Sequence, residues 1–554
     1  KTKNRDREIK ASIHIHSFLL SRFETWTPSK PPSLIDRPYQ RSTTHTDLPI
    51  NSYHAHLTAC PPTTAQLIPC TSNSMPTHHC TTLLLLFLLQ PPIVAHAADR
   101  TEVINDLLSW AKDEGGIVDN IKVGNSSING AGRALNLVAP RSEGSVLVSV
   151  PLNMLVTDNV ARADPTMIKH VLSFPPEVLA IDSCMAVTLF LMLEQLNITG
   201  LSSHSKWLRY WNSLPPLDHR FNLPQLEWNS TEQGRAALDV LLSSPSMAQR
   251  LHKERSLHDK SMEKLQDTVF FSLNKAYSST VPNLMKKLKQ AFVWSKSVIL
   301  TRSWTKPHSS IAGECTMVPI LDLLNHDDQG GGLIAVAFDD QPGRIHSFGV
   351  LATKDVGTDE EVFDSYDPPT SPNQIKCVQD MFVGFGFLPL RGSSNRPWCF
   401  NLMFPIKTMT FATPAANMAQ LLQLKQWNAK RGDLFTIQLK EGDKTLPNSL
   451  LVVLRLCVSD EKDIALAQRR GNALAPLSLR NERKVLATIW TVMSKNLAHI
   501  PSSGGQDQRQ LDEGVNDQMA IALRIRIHER NICVQTLDQI KELWLHAMLL
   551  KELV

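Results

Sequence analysis

Several residue types and patterns are scarce in this chain of 554 residues. Residues 1–74 contain neither glycine nor methionine, and the formal net charge of the whole chain is only +4. All of that charge lies in residues 1–74, which hold nine Lys or Arg against five Asp or Glu. Because the rest of the chain is neutral, its charge gives no support to a nucleic-acid partner. The hydrophobic fraction of 42% and the charged fraction of 20% exclude a collagen-like, coiled-coil or wholly disordered chain.

Long apolar runs are also missing, since none approaches the ~20 residues that a membrane-spanning helix needs. The apolar residues 83–89 are followed by Ala95-His96-Ala97, and a short apolar run before an A-x-A site is typical of a secretory signal peptide. We therefore predict a non-globular leader over 1–74, a signal peptide over 75–97 and no stable membrane anchor. The leader is either a disordered extension or upstream sequence that is not translated. The alternative for the apolar run is a short buried helix.

The predicted signal peptide decides the expected location. If it is real, the protein enters the secretory route or a complex plastid, and otherwise it is cytoplasmic or plastidic. Glycosylation acceptor tripeptides begin at Asn125, Asn197 and Asn229. Six cysteines follow residue 97, without a C-x-x-C pair. Their wide spacing predicts neither a structural zinc site nor a disulfide scaffold, but it leaves room for one or two disulfides in an oxidising compartment.

Hydrophobic periodicity divides the remaining chain into three parts. Residues 101–114 carry apolar side chains on one helical face, and residues 130–140 and 143–151 alternate like a pair of strands. Residues 165–300 are mostly helical, residues 311–365 return to short strands, and residues 401–554 are helical again. This order predicts an α+β protein in which a β-rich part is interrupted by a helical insert and followed by an all-helical tail.

Two polar segments stand out, while a phosphate-binding loop, a nucleophile elbow and a complete dinucleotide fingerprint are absent from the sequence. In the first segment an apolar run leads into Asp322, Asn325 and His326 and then into two further aspartates. Its composition fits a strand end with a solvated turn, a metal site or another polar site. In the second segment Tyr366 ends a predicted strand before a proline-rich turn, and the chain has only five tyrosines.

Together with their neighbours, these segments resemble the SET-domain methyltransferases of the Rubisco large-subunit methyltransferase type, the class that includes actin-histidine methyltransferases. The similar segments, in chain order, are 127–135 (SINGAGRAL), 144–151 (GSVLVSVP), 205–215 (SKWLRYWNSLP), 294–304 (WSKSVILTRSW), 318–326 (VPILDLLNH), 362–367 (VFDSYD) and 384–387 (GFGF). The helical tail also resembles the substrate-binding domain of that family. The resemblance spans about residues 100–550 and implies a SET domain over 98–395, with its helical insert at about 161–300, and a helical substrate-binding domain over 396–554.

The resemblance also implies an activity, namely the transfer of a methyl group from S-adenosylmethionine to a lysine or histidine side chain of a non-histone protein. It implies a monomer with a protein substrate, no nucleic-acid partner and no metal. It assigns catalysis to Tyr366 and the substrate side of the site to Asp322 and Phe385. By the same resemblance, the residues that bind the cofactor are Asn129, Gly130, Ala131, Arg302, Asn325 and His326.

One departure from the family pattern concerns Phe385, which stands where the family has the tyrosine of its Y-G-F segment. The lost hydroxyl predicts a different number of methyl groups in the product. An alternative function is a catalytically degenerate SET-like module that binds a protein partner without turnover. A metal hydrolase built on the aspartates and the histidine near position 326 is a third hypothesis.

Overall fold

A computed structural model describes residues 100–128, 132–198, 205–305, 315–328, 332–338, 345–366, 376–389, 396–405, 434–470, 473 and 475–552. The predicted leader and signal peptide lie outside the described residues. The helices are α1 (Arg100–Asp113), α2 (Asp158–Ala163), α3 (Pro165–His170), α4 (Met185–Leu196), α5 (Leu208–Ser213), α6 (Glu232–Leu242), α7 (Pro245–Leu265), α8 (Phe271–Tyr277), α9 (Leu284–Arg302), α10 (Val378–Phe385), α11 (Asn448–Cys457), α12 (Glu461–Arg470), α13 (Leu479–His499), α14 (Gly504–Asp512) and α15 (Asp517–Glu552). The strands are β1 (Ile121–Asn125), β2 (Arg133–Leu137), β3 (Val146–Pro151), β4 (Val156–Thr157), β5 (Ser303–Thr305), β6 (Cys315–Met317), β7 (Asn325–His326), β8 (Gly332–Phe338), β9 (Ile345–Ala352), β10 (Phe363–Asp364), β11 (Cys399–Pro405) and β12 (Leu434–Lys440).

Helix α1 forms where the periodicity predicts it. Its apolar stripe, which includes Ile104, Leu107 and Ala111, is buried because residues three and four apart share one helical face. The chain leaves the helix through Gly115, whose φ of +91° suits a residue without a Cβ atom. A Cβ atom on Gly116 would lie 2.8 Å from the carbonyl oxygens of Ala111 and Ser149. Glycine therefore lets the end of α1 pack closely on β3.

The main hydrophobic core surrounds α4, and residues 185–193 of this helix are all buried. A helix that is apolar on every side can satisfy its backbone internally while it is covered from all directions. The sequence prediction of a buried helix here is confirmed. The helix ends at Asn197, which has a left-handed φ of +44°, a conformation that asparagine tolerates better than most residues.

Small antiparallel sheets cover this core. Strand β9 is the centre of the sheet β3–β9–β8, and β6 is the centre of the sheet β4–β6–β5. Strand β2 pairs with β1 in a separate antiparallel pair. The predicted pairing of segments 130–140 and 143–151 with each other is therefore wrong. The residues form strands as predicted, but β2 and β3 take partners elsewhere, because alternation indicates a half-buried strand and says nothing about its neighbour.

The two polar segments of the sequence meet in a short parallel pair. Strand β7 pairs with β10, so that Asn325 lies beside Phe363 and His326 beside Asp364. The turn before β7 is a 3₁₀ turn over Leu321–Leu323, which follows the buried Ile320 at a φ of +71°. A positive φ is costly for a β-branched residue, and such strain is found mainly near functional sites. This turn delivers Asp322 to the end of the parallel pair.

The C-terminal part is mainly helical, as predicted, and the α+β class is confirmed. It also contains the antiparallel pair of β11 with β12, which the prediction of an all-helical tail did not include. These strands pack through Phe400, Leu402 and Phe404 against α11 and α13 in a core of their own. Another core joins the insert to the tail, because Trp228 and Leu238 share it with Phe382 of α10 and Ile525 of α15. Among the described helices, none is both long enough and apolar enough to cross a membrane.

Two disulfides cross-link the described chain. One joins Cys184, just before α4, to Cys315 of β6, with 5.1 Å between the Cα atoms. The other joins Cys377 to Cys399 with 5.8 Å between the Cα atoms, and it ties the start of α10 to β11. The remaining described cysteines, Cys457 and Cys533, are buried thiols. This agrees with the expectation of one or two disulfides.

Candidate active site

The site is a cavity of about 720 Å³ that the end of α9, strand β7, Tyr366 and the segment after α10 line together. The cavity contains every described residue that the sequence resemblance selected, namely Arg302, Asp322, Asn325, His326, Tyr366 and Phe385. The predicted Asn129, Gly130 and Ala131 lie outside the described residues. Their described neighbours Ile128 and Arg133 line the same cavity. The fold thus brings together site residues that are far apart in sequence. Arg302 and Phe385, for example, are separated by about 80 positions.

Arg302 and Asp322 form a charged pair in the cavity lining, and the carboxylate of Asp322 is fully buried. The Nη1 atom of Arg302 donates to the main-chain oxygen of Asp322 at 2.9 Å and lies 3.3 Å from its Oδ2 atom. The hydroxyl of Tyr210 donates to the same Oδ2 atom at 3.0 Å. Burial raises the pKa of the Asp322 carboxyl, while the guanidinium of Arg302 opposes that rise. Sequence reasoning did not select Tyr210 as a site residue, although it is the tyrosine of the 205–215 segment.

Arg302 lines the cavity. Its Nε atom is buried and has no hydrogen-bond partner among the described residues. An unpaired buried donor is costly, and a planar guanidinium is well matched to a carboxylate. The cavity therefore suits a ligand that carries a carboxylate, as the amino-acid part of S-adenosylmethionine does.

Asn325 is held by a carboxylate that sequence reasoning missed. Its Nδ2 atom donates to the main-chain oxygen of Arg133 and to Oε1 of Glu361, both at 2.8 Å. Glu361 is buried and also accepts hydrogen bonds from the hydroxyls of Ser126 and Ser127 and from the main-chain N–H of Ser127, at 2.7–3.0 Å. Glu361 therefore connects the end of β1 to the asparagine of the site. An acidic residue before a strand is common, so the sequence carries no signal for this role.

His326 and Tyr366 are joined through the backbone. The main-chain N–H of Tyr366 donates to Nδ1 of His326 at 3.1 Å, so the proton of the neutral imidazole lies on Nε2. That Nε2 atom lies 3.1 Å from Oδ1 of Asp328. Asp328 is bound in turn by the nearly buried guanidinium of Arg396, with an Nε-to-oxygen distance of 2.7 Å. Arg396 and Asp328 are a second connection that sequence reasoning missed, since they are 68 positions apart.

The hydroxyl of Tyr366 donates to the main-chain oxygen of Leu324 at 2.7 Å. Burial raises the pKa of this phenol, so it remains a protonated donor at neutral pH. The ring of Phe385 lies 5.0 Å from that of Tyr366, and the ring of Phe387 lies 5.7 Å from that of His326. An apolar aromatic wall thus stands beside the phenol.

The first polar segment was also a candidate metal site in the sequence. In the described part of the chain, no group of three or more His, Cys, Asp or Glu side chains is placed so that it could hold a metal ion. The aspartates of that segment have protein partners instead, since Asp322 contacts Arg302 and Asp328 contacts Arg396.

Comparisons with known proteins give both sequence and structural similarities. Residues 416–532 match the family model described as Rubisco LSMT substrate-binding. The SET domain of LSMT bound to lysine and AdoHcy is similar with a TM-score of 0.60 and 18% identity, over 80% of this chain and 92% of that chain. Rubisco LSMT bound to sinefungin and monomethyllysine gives 0.60 and 19%, over 80% and 93%. Rubisco LSMT bound to AdoMet gives 0.59 and 20%, over the same shares.

No curated protein is significantly similar to the chain in sequence. The structural similarity and the family model together confirm the resemblance that the sequence motifs indicated: the chain has the SET fold of Rubisco LSMT, and its C-terminal region matches the model of the LSMT substrate-binding domain.

Proposed function

We propose that this protein is an S-adenosylmethionine-dependent protein N-methyltransferase that acts on a lysine, or alternatively a histidine, of a non-histone protein. The observation that carries the proposal is the cavity in which Arg302, Asn325, His326 and Tyr366 meet within a SET fold. The similar solved proteins bind AdoMet, AdoHcy or a lysine, which supports the same ligand classes for this chain.

We propose that residues 129–131, Arg302, Asn325 and His326 hold the cofactor. The guanidinium of Arg302, which lines the cavity, receives its carboxylate, and the backbone of residues 129–131 and the Asn325–His326 pair hold its remaining polar groups. When bound, S-adenosylmethionine supplies an electrophilic methyl group on a positively charged sulfur. Tyr366 donates its hydroxyl proton to Leu324 and orients the acceptor nitrogen by accepting from it at the hydroxyl oxygen, which is the positioning that an in-line displacement needs.

The aromatic wall helps the acceptor to become a nucleophile. A lysine amine has an unperturbed pKa of ~10.4, so its deprotonation at pH 7 costs about 4–5 kcal/mol. The apolar rings of Phe385 and Phe387 disfavour the ammonium form and lower that cost. A histidine acceptor, with an unperturbed pKa of ~6.5, needs little such help. The ammonium proton passes to water before the methyl group is transferred.

The function is tested with purified protein, labelled methyl donor and a lysate from the protein's own source, followed by identification of the labelled residue by mass spectrometry. Tyr366→Phe removes the hydroxyl, and transfer is expected to fall about 100-fold because orientation is lost. Donor binding, measured by calorimetry, is expected to weaken in Asn325→Ala but not in Tyr366→Phe. A wild-type protein that binds no donor, or that binds it without any transfer, would favour the degenerate binding module.

We also propose that the mature protein folds in an oxidising compartment, with a SET domain over 98–395 and a substrate-binding domain over 396–554. The two disulfides support that compartment, since such bonds form readily on the secretory route. Asn125 and Asn229 are exposed acceptors for a glycan. A non-reducing peptide map of the native protein is expected to start near residue 98 and to contain both disulfides; free thiols at Cys377 and Cys399 would contradict this location.

A further inference from the structure

The first turns of α15 present two different faces. Ala522, Ile525 and Glu529 are buried against the rest of the protein. Asp517, Ala520, Ile521 and Arg524 line the candidate active-site cavity instead. Residues three, four and seven apart lie on one side of a helix, so these four form a single stripe. The stripe belongs to the region that matches the substrate-binding model.

No contact within the described chain explains the charge of Arg524. Its side chain is exposed, and it forms no hydrogen bond or ion pair with the rest of the described chain. Asp517, at the other end of the stripe, lies in the first turn of α15, where the positive end of the helix dipole stabilises a carboxylate. Arg524 is therefore a cation at the cavity wall without a role in folding.

The stripe is chemically suited to a peptide segment. Seven residues of helix separate its two charges by about 10 Å, at ~1.5 Å per residue, which is about three residues of an extended chain. Ala520 and Ile521 lie between the charges and leave a small apolar surface. The helical insert contributes Pro215, His219 and Phe221 to the same cavity. The helical insert and α15 therefore both line the cavity that an acceptor segment enters to reach Tyr366.

We propose that Arg524 recognises an acidic side chain of the acceptor protein, close in sequence to the residue that is methylated. The inference rests on the proposed function and adds the chemistry of its substrate. A guanidinium binds a carboxylate through two parallel N–H donors, and such charge-assisted bonds are stronger and more directional than neutral ones. Because the pair lies at the wall of an open cavity, the expected selectivity for an acidic residue is about fivefold rather than absolute.

The test uses degenerate peptide libraries centred on lysine and on histidine, with the full-length protein. One measurement is retention of peptides on immobilised protein in the presence of sinefungin, and the other is methyl transfer from labelled donor. We expect enrichment of Asp or Glu at a fixed offset from the centre. That enrichment should fall about fivefold in Arg524→Gln and should change to Lys or Arg in Arg524→Glu. Arg509→Gln, an equally exposed arginine of α14 outside the cavity, should behave as wild type.

The outcomes separate this inference from the proposed function. Unchanged acidic selection in Arg524→Gln, or no acidic selection by the wild-type protein in either measurement, overturns the role of Arg524. If the protein transfers methyl groups but does not select acidic peptides, the role of Arg524 is overturned and the proposed function stands. If the immobilised protein retains acidic peptides selectively but transfers no methyl group, the role of Arg524 is supported and the proposed function fails. Thermal melting of each variant confirms that the exposed substitution leaves the fold intact.

Discussion

The main-chain N–H of Tyr366 donates a hydrogen bond to Nδ1 of His326, with a nitrogen-to-nitrogen distance of 3.1 Å. The bond connects His326 of β7 to the residue two positions after β10, and it leaves Nε2 as the ring nitrogen that lies near Asp328. Arg396 holds Asp328 from the other side. A chain of contacts thus leads from the backbone of Tyr366 through His326 and Asp328 to an arginine outside the cavity lining.

We predict that Arg396→Gln disturbs the reaction more than donor binding. The substitution leaves the partly buried carboxylate of Asp328 without its guanidinium, which costs at most about 3–5 kcal/mol of stability, the cost of a broken buried pair. Turnover is expected to fall about tenfold, because small displacements of positioned groups are costly in rate. Kinetics with saturating donor and calorimetry of donor binding check this. In Asp328→Asn combined with Arg396→Gln, stability is expected to recover in part; a turnover equal to wild type in Arg396→Gln alone would contradict the prediction.

Phe385→Tyr is predicted to change the number of methyl groups in the product. The ring of Phe385 lies 5.0 Å from that of Tyr366, so a new hydroxyl would stand close to the acceptor nitrogen and take part of its space and hydrogen bonding. We expect a shift toward fewer methyl groups, measured by mass spectrometry of the acceptor over time. Phe387→Tyr is a neighbouring control, and an identical product distribution in wild type and Phe385→Tyr would count against the idea.

The pH dependence of stability is predicted to depend on Glu529. Burial raises the pKa of this carboxyl to about 8, and its Oε1 atom has no hydrogen-bond partner in the described chain. The folded state therefore holds a proton that the unfolded state releases near pH 4.5, so stability falls as pH rises from about 4.5 to 8. The slope is at most about 1.4 kcal/mol per pH unit.

Glu529→Gln removes this titration, because the amide stays neutral. Thermal unfolding between pH 5 and 9 is expected to show a flatter profile in the variant, with the largest gain relative to wild type at pH 9. The exposed Glu513→Gln is the matched control and should follow the wild-type profile. Parallel profiles for wild type and Glu529→Gln would show that this carboxyl does not titrate in the predicted range. Asp364, whose pKa burial raises to about 7, acts in the same direction and remains in all variants.

Replacement of the Cys377–Cys399 disulfide is predicted to destabilise the junction between α10 and β11. A cross-link over a loop of 22 residues is worth about 3 kcal/mol in the chain-entropy description. Cys377→Ser with Cys399→Ser is therefore expected to lose about that amount in denaturant unfolding without reductant. Cys457→Ala, which touches no disulfide, controls for the loss of a buried thiol-sized group. If reductant leaves the difference between wild type and the double variant unchanged, the bond is not formed in the protein.

Local patterns predicted much of this molecule. The spacing of apolar residues in 101–114 and the nearly continuous apolar run of 185–193 are enough to predict α1 and α4, because helical periodicity is a local property. The ordered motifs were enough to select Arg302, Asp322, Asn325, His326, Tyr366 and Phe385, which the fold gathers in one cavity. The sequence patterns did not predict strands β11 and β12, since the two strands pair residues about 35 positions apart.

What the sequence by itself determined is the set of chemical groups and the local elements that carry them. Only the tertiary structure decided which groups meet. The bonds of Glu361 to Ser126 and Asn325, the contact of Arg396 with Asp328, and the entry of Arg524 into the cavity wall all join distant parts of the chain. The physical reason is that such contacts are selected by the packing of whole elements, which depends on buried area and shape across the fold rather than on the residues beside each group.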